Sequence, residues 1–199
     1  MQSNLRKNRN IILITMIIFA LPVVVSTTLY MTGWRPSGTV NYGTLITPAK
    51  LLEDRTLQEL DGKAIKLSQL RGKWTMFYFG PSACDEPCAK QLFFMRQTHL
   101  SLGRDFDRMQ RVFVLQDDKS AATLNDRFKD YEGMIILKDE PESVLAMQKE
   151  FGADEIQEKE NIFLVDPQGF LMMRYMPDSD PKAVRKDLDR LLKYSGDNR

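Results

Sequence analysis

Residues 72–92 read GKWTMFYFGPSACDEPCAKQL, and the fold turns on how this stretch is parsed. Trp74 to Phe79 is an unbroken aromatic and apolar run, closed off by Gly72 and Gly80. It is too short for a helix, and it suits a strand buried on both faces. Cys84 and Cys88 follow at once, at the start of a segment with helical composition that runs from Lys90 to Leu102 and stops at Gly103, a natural C-cap.

Working outward, Leu57 to Leu60 and Ala64 to Leu67 flank Asp61-Gly62 and predict a hairpin, with one helical turn over Leu67 to Leu70. Downstream, Arg111 to Leu115 and Met134 to Leu137 read as strands. Ala121 to Tyr131, behind a Ser120 cap, reads as a helix, as does Glu142 to Phe151 before Gly152. Asn161 to Val165 and Phe170 to Tyr175 surround the turn Asp166-Pro167-Gln168-Gly169 and predict two antiparallel strands. Pro181 to Tyr194 closes the chain as a helix capped by Asp180. Strands alternating with helices imply a largely parallel sheet with helices on both faces, and the late hairpin adds antiparallel strands. The fold class expected is α/β, a thioredoxin-like fold with a central mixed sheet.

The N-terminus is of another kind. Ile11 to Met31 (IILITMIIFALPVVVSTTLYM) carries no charged side chain, and about twenty apolar residues span a bilayer as a helix. The run exceeds the core of a cleavable signal peptide, and no small-x-small cleavage site follows it, so an uncleaved signal anchor is expected. Pro22 is tolerable in such a helix, and Tyr30 and Trp34 fall where interfacial aromatics belong. Arg6, Lys7 and Arg9 precede the run with no acid among them, which places the N-terminus in the cytoplasm. The expected organisation is a cytoplasmic tail over 1–10, a transmembrane helix over 11–31, a Gly- and Pro-marked linker over 32–50 and a periplasmic domain over 51–199. The setting is the inner membrane, single-pass. The whole chain has 28 basic and 27 acidic side chains, a balance that offers nucleic acid no general attraction.

The chemistry concentrates on Cys84 and Cys88, the only cysteines. A helix N-terminus supplies partial positive charge and free N–H groups that stabilise a thiolate. Residues four apart on a helix share a face, within reach of a disulfide. A purely structural bridge is the bland alternative, but a bridge closing so small a loop stabilises little. The pair therefore reads as a redox or soft-metal site. No phosphate loop, dinucleotide fingerprint, zinc spacing or Ser-His-Asp set appears.

The segment DGKAIKLSQLRGKWTMFYFGPSACDEPC (61–88) resembles the Sco/SenC family of cytochrome c oxidase assembly proteins. That family carries a membrane anchor, a thioredoxin-like domain and a C-x3-C pair, matched here by Cys84-Asp85-Glu86-Pro87-Cys88, where thioredoxins use C-x2-C. NIFLVDPQG (161–169) resembles the family's later strand and turn. The resemblance implies copper binding by the two cysteines and a histidine shortly before that strand. Here the region reads Gln157-Glu158-Lys159-Glu160, with Glu158 nearest the histidine position, so the third ligand does not carry over. The family's prolines after each cysteine are replaced by Asp85 and Ala89. The chain thus reads as a divergent member lacking the ligand histidine.

The remaining candidates have plainer readings. His99, the single histidine, lies eleven residues beyond Cys88, about 16 Å down a helix, and is expected to pack rather than ligate. Met172, Met173 and Met176 read as core or edge packing, Asp117-Asp118 as a solvated loop and Asp154 to Glu160 as a charged one. Asp117 nonetheless sits at a strand's C-terminal end, where α/β sites gather. The expected function is thiol-disulfide oxidoreductase, with Cys84 attacking and Cys88 resolving. The partner expected is a membrane protein such as an oxidase subunit. No cofactor is required, and Cu(I) binding by Cys84 and Cys88 is expected to be weak. A copper chaperone and a non-catalytic assembly factor are the alternatives.

Overall fold

The computed structural model describes residues 2–33, 41–117, 131–153 and 160–195. They fall into two compact units, Met1–Val40 and Asn41–Arg199. The helix expected over Ala121 to Tyr131, Trp34 and the segment containing Glu158 lie outside the described residues, apart from Tyr131 and Glu160 at the edges.

The first unit holds one helix, α1 (Gln2–Met31), with Pro22 inside it. Its Arg9–Met31 stretch, 23 residues with mean hydropathy 2.5, is long and apolar enough to cross a membrane. At 1.5 Å per residue it covers about 35 Å, against a hydrocarbon core of about 30 Å. Three of its threonine hydroxyls are satisfied within the helix. Thr15, Thr27 and Thr28 donate to the carbonyls of Ile11, Val23 and Val24 at 2.9, 2.7 and 2.8 Å, which is how polar side chains are accommodated where no water is available.

The second unit is an eight-stranded mixed sheet. In chain order the strands are β1 (Thr44–Leu51), β2 (Thr56–Glu59), β3 (Ala64–Lys66), β4 (Trp74–Gly80), β5 (Met109–Leu115), β6 (Met134–Lys138), β7 (Ile162–Val165) and β8 (Phe170–Tyr175), and across the sheet they lie β1-β8-β7-β4-β5-β6-β2-β3. β4, β5 and β6 are parallel, and β7, β8 and β1 extend the sheet antiparallel on one side of them. The helices are α2 (Glu86–Leu100), α3 (Pro141–Phe151) and α4 (Pro181–Tyr194).

Every residue of β4 is buried, as the sequence run requires of a central strand. Its alternation divides the core. Met76 and Tyr78 face α2 and α4, in a cluster with Cys88, Leu92, Met95, Val184 and Leu188. Phe77 and Phe79 face α3, where Phe151 meets them edge-on with ring centroids 5.3 and 5.1 Å away. α3 stops at Gly152, whose φ of 72° is the left-handed cap glycine adopts without strain. α4 starts on Asp180, whose carboxylate accepts from the Lys182 N–H at 3.0 Å.

Two expectations are corrected. The helix after the cysteines begins at Glu86, four residues before Lys90, because the Asp85 carboxylate caps it. The linker expected over 32–50 does not extend to 50, and the domain does not begin at 51. Thr44–Leu51 is edge strand β1, paired antiparallel with β8. Gly43 reads as a linker residue, but it is there for close approach: a Cβ on it would lie 2.5 Å from Met173 Sδ and from the Tyr175 ring. Pro48 is accommodated because β1 lies at the sheet's edge, within an irregularity between Leu45 and Lys50. Just before β1, the Tyr42 and Gly43 N–H groups donate to the buried Asp187 carboxylate of α4 at 2.8 and 2.9 Å.

Candidate functional site

The site occupies the loop between β4 and α2. β4 ends at Gly80, where a Cβ would stand 2.7 Å from the Phe113 ring, so the chain can pass here only without a side chain. The Gly80 carbonyl accepts from the Gln116 N–H at 2.9 Å, which ties the loop to the end of β5. Ser82, 1% exposed, donates its hydroxyl to the Asp117 carboxylate. Asp117 is therefore not the freely solvated loop residue expected, but a half-buried acceptor for a residue two positions before Cys84.

Cys84 N–H donates to the Pro81 carbonyl at 3.0 Å, and Cys84 has φ 34°, the only described non-glycine residue with positive φ. Such a conformation is sparsely populated by L-residues and is held here by its surroundings. Asp85 follows as N-cap, and its carboxylate accepts from the Cys88 N–H at 3.2 Å. Cys84 and Cys88 are joined as a disulfide with Cα atoms 5.1 Å apart. The structure thus brings the expected pair together by a different route. Cys84 lies before the cap, outside the helix, and reaches Cys88 through the left-handed turn rather than along a helix face.

The two sulfurs are unequal. Cys88 is 1% exposed and packs in the core beside Leu92, whereas Cys84 is half-buried. An incoming group therefore meets Cys84 first. The surroundings are acidic. Glu86 pairs with Lys90 at 2.8 Å on the exposed side of α2, and the lysine's hydrogen bond holds its carboxyl below the ordinary value. Beneath the site the Tyr78 hydroxyl is pushed well above the ordinary phenol value, first by burial, then by the charges of Glu160 and Asp85. Glu160, the described end of the charged run, is thus close enough to Tyr78 to act on it electrostatically.

The other candidates keep their plainer readings. His99 is buried and stacked on Phe106, ring centroids 3.9 Å apart and planes 2° from parallel, and its Nε2–H donates to the Phe106 carbonyl at 2.9 Å. Burial lowers its pKa below the ordinary imidazole value. Met173 is core and Met172 half-buried on the opposite face of β8, while Met176, just past the strand, is 61% exposed. Among the described residues no group of three or more His, Cys, Asp or Glu side chains is arranged to hold a metal. Sequence reasoning did not assign Ser82 and Tyr78; the one signal for their neighbourhood was that Asp117 ends a parallel strand.

A half-exposed disulfide at the start of a helix, on a buried strand of a mixed sheet, defines a thioredoxin-like protein. Residues 74–195, more than half of the chain, match the family described as transmembrane-like, thioredoxin-like, C-terminal domain, and the chain belongs to that family. Its structural neighbours include Sco proteins. Apo Sco1 from Thermus thermophilus superposes with a TM-score of 0.63 at 25% identity, covering 78% of this chain and 99% of that one. Yeast Sco1 with copper bound gives 0.61 at 20% identity, covering 79% and 96%. BsSco, a member of the Sco family of cytochrome c oxidase assembly proteins in which a disulfide switch was identified, gives 0.60 at 16% identity, covering 74% and 96%. No curated protein sequence matches the chain.

Proposed function

We propose that this protein is a membrane-anchored thiol-disulfide oxidoreductase, a divergent Sco-like protein that keeps the cysteine ligands of a respiratory oxidase's copper centre reduced. The observation that carries the reading is the asymmetry of the disulfide, Cys84 half-exposed and Cys88 1% exposed, at the N-terminus of α2. In the reduced protein the Cys84 thiolate attacks one sulfur of a partner disulfide, forming a mixed disulfide and releasing the first partner thiolate. The Cys88 thiolate then attacks the Cys84 sulfur, and the second partner thiolate leaves. Two electrons pass to the partner, and the protein is left as the Cys84–Cys88 disulfide. An external dithiol must reduce it again. The helix N-terminus supports each thiolate as it forms.

The anchor is α1, with residues 1–10 in the cytoplasm and the domain in the periplasm, and the basic residues before Ile11 support that orientation. The partner is a membrane protein with a cysteine pair, such as an oxidase subunit. The test uses the full chain in detergent. Reduced protein should transfer electrons to a disulfide peptide, and Cys88→Ser should accumulate a mixed disulfide through Cys84. Equal reactivity of wild type and the Cys84→Ser, Cys88→Ser double variant would sink the reading.

A second reading, copper chaperone, draws on the copper-bound yeast neighbour. Two reduced thiolates suit Cu(I), whereas a disulfide offers no thiolate to a metal. Cu(I) titration of the reduced chain decides between the two. Weak, exchangeable binding favours the oxidoreductase, and tight one-to-one binding favours the chaperone.

A further inference from the structure

We propose that the outer face of α4 rests on the anionic headgroups of the membrane that α1 enters. The inference rests on α1 as an anchor and not on the redox reading of the cysteines. α4 is strongly two-sided. Ala183, Val184, Leu188 and Leu192 are buried, while Lys182, Lys186 and Lys193 are exposed. At 100° per residue the three lysines fall within about 40° of one another, a single stripe along the helix. The one acid on that face, Asp189, is engaged by Arg185 at 3.2 Å. The stripe is therefore a net positive surface in a chain whose total charge is only +1.

Two further observations select a lipid surface as the occupant. The chain enters the domain directly beside this stripe. Tyr42, 58% exposed, lies with its ring 5.7 Å from Lys186 Nζ, and its N–H and that of Gly43 are held by Asp187 in the middle of α4. Between Gly33 and Asn41 there are only seven residues, which even fully extended reach about 25 Å. The stripe therefore adjoins the point at which the chain leading from α1 joins the domain. Tyr194, 79% exposed, adds a second amphipathic ring at the far end of the stripe, and interfacial tyrosines with lysines suit the headgroup layer.

The placement bears on the cysteine pair. β8 is antiparallel to β7 and β7 to β4, so β8 and β4 point the same way. The Trp74 indole N–H at the start of β4 donates to the Ser195 hydroxyl just past α4, at 3.1 Å. α4 and α2 therefore both begin at the sheet end that carries Cys84 and Cys88. With α4 on the headgroups, the pair is presented at a height set by the bilayer, to a partner in the same membrane.

The test places the full chain in nanodiscs of phosphatidylcholine or of phosphatidylcholine with phosphatidylglycerol. A water-soluble acylating reagent reports on each lysine, with Lys63, exposed on the β2–β3 turn, as the internal reference. Labelling of Lys182, Lys186 and Lys193 relative to Lys63 should slow about fivefold in the anionic discs and recover at about 0.5 M salt. Equal rates in both discs would overturn this inference alone. So would slowing in phosphatidylcholine discs on adding inorganic phosphate, or on raising protein concentration, since the face would then take free phosphate or a second copy. A chain that does not enter discs at all would overturn the anchor reading together with this one.

Discussion

α2 and α4 begin at the same end of the sheet with nearly the same local chemistry. Asp85 caps the first and Asp180 the second, each accepting a backbone N–H from the first turn, and each helix has a proline at its first or second position. Only α2 is preceded by a residue in the left-handed region, Cys84 at φ 34°, with a part-buried hydroxyl–carboxylate contact, Ser82 to Asp117, starting two residues before it. Capping makes a helix start in both places. The bent loop before the cap sets a disulfide, with one half-buried cysteine, at only one of them.

The largest break in that comparison is Cys84→Ser. It should abolish disulfide transfer to a peptide, whereas Asp180→Ala at the other helix should leave transfer unchanged; peptide reduction followed by thiol trapping reads both. Next comes the contact from Ser82 to Asp117. Ser82→Ala leaves the Asp117 carboxylate without that donor in a half-buried position and should cost about 1–3 kcal/mol in denaturant unfolding of the oxidised protein. It should also slow exchange at Cys84. Unchanged exchange would mean that the contact supports the fold only.

The two caps sharpen the comparison further. Asp85→Ala and Asp180→Ala should each cost about 1 kcal/mol. Asp85→Asn should in addition raise the reduction potential of the pair by roughly 10–30 mV, because removing a carboxylate beside the helix start favours the thiolates of the reduced form. Asp180→Asn should leave the potential where it is. Equal shifts from the two variants would dissolve the distinction.

The smallest effect concerns the other end of α2. His99 is held neutral by burial, with the positive charges of Arg111 and Lys73 acting in the same direction and its hydrogen bond to Phe106 opposing it. Unfolded histidine takes up a proton near pH 6.5, which the folded one resists. Stability should therefore be constant above that value and fall as pH drops below it, by at most about 1.4 kcal/mol per pH unit. His99→Leu should flatten this part of the profile in urea titrations run from pH 7.5 to 5. Disulfide transfer should follow the same profile in both proteins, since His99 does not touch the cysteines.

Much of this molecule follows from local pattern. The apolar run of α1, the buried strand β4, the Asp-Gly hairpin of β2 and β3, and α4 with its Asp180 cap were all expected from the sequence and all occur. Each depends on spacing and on turn or cap residues within a few positions of one another. The disulfide between Cys84 and Cys88 was legible in the same way, because two cysteines four apart beside a helix start are within reach of each other.

What the sequence could not express is pairing over distance. β1 looked like linker because its partner β8 lies over a hundred residues away, and its entry is held by Asp187, 144 positions beyond Gly43. The left-handed turn at Cys84 and the bond from Ser82 to Asp117, 35 positions on, likewise exist only once β4 and β5 lie side by side. Local pattern determined that there is a helix long and apolar enough to cross a membrane, a sheet and a cysteine pair. Only tertiary structure decided which cysteine faces outward, because exposure at Cys84 and burial at Cys88 are set by neighbours that meet on folding and not by the five residues from one to the other.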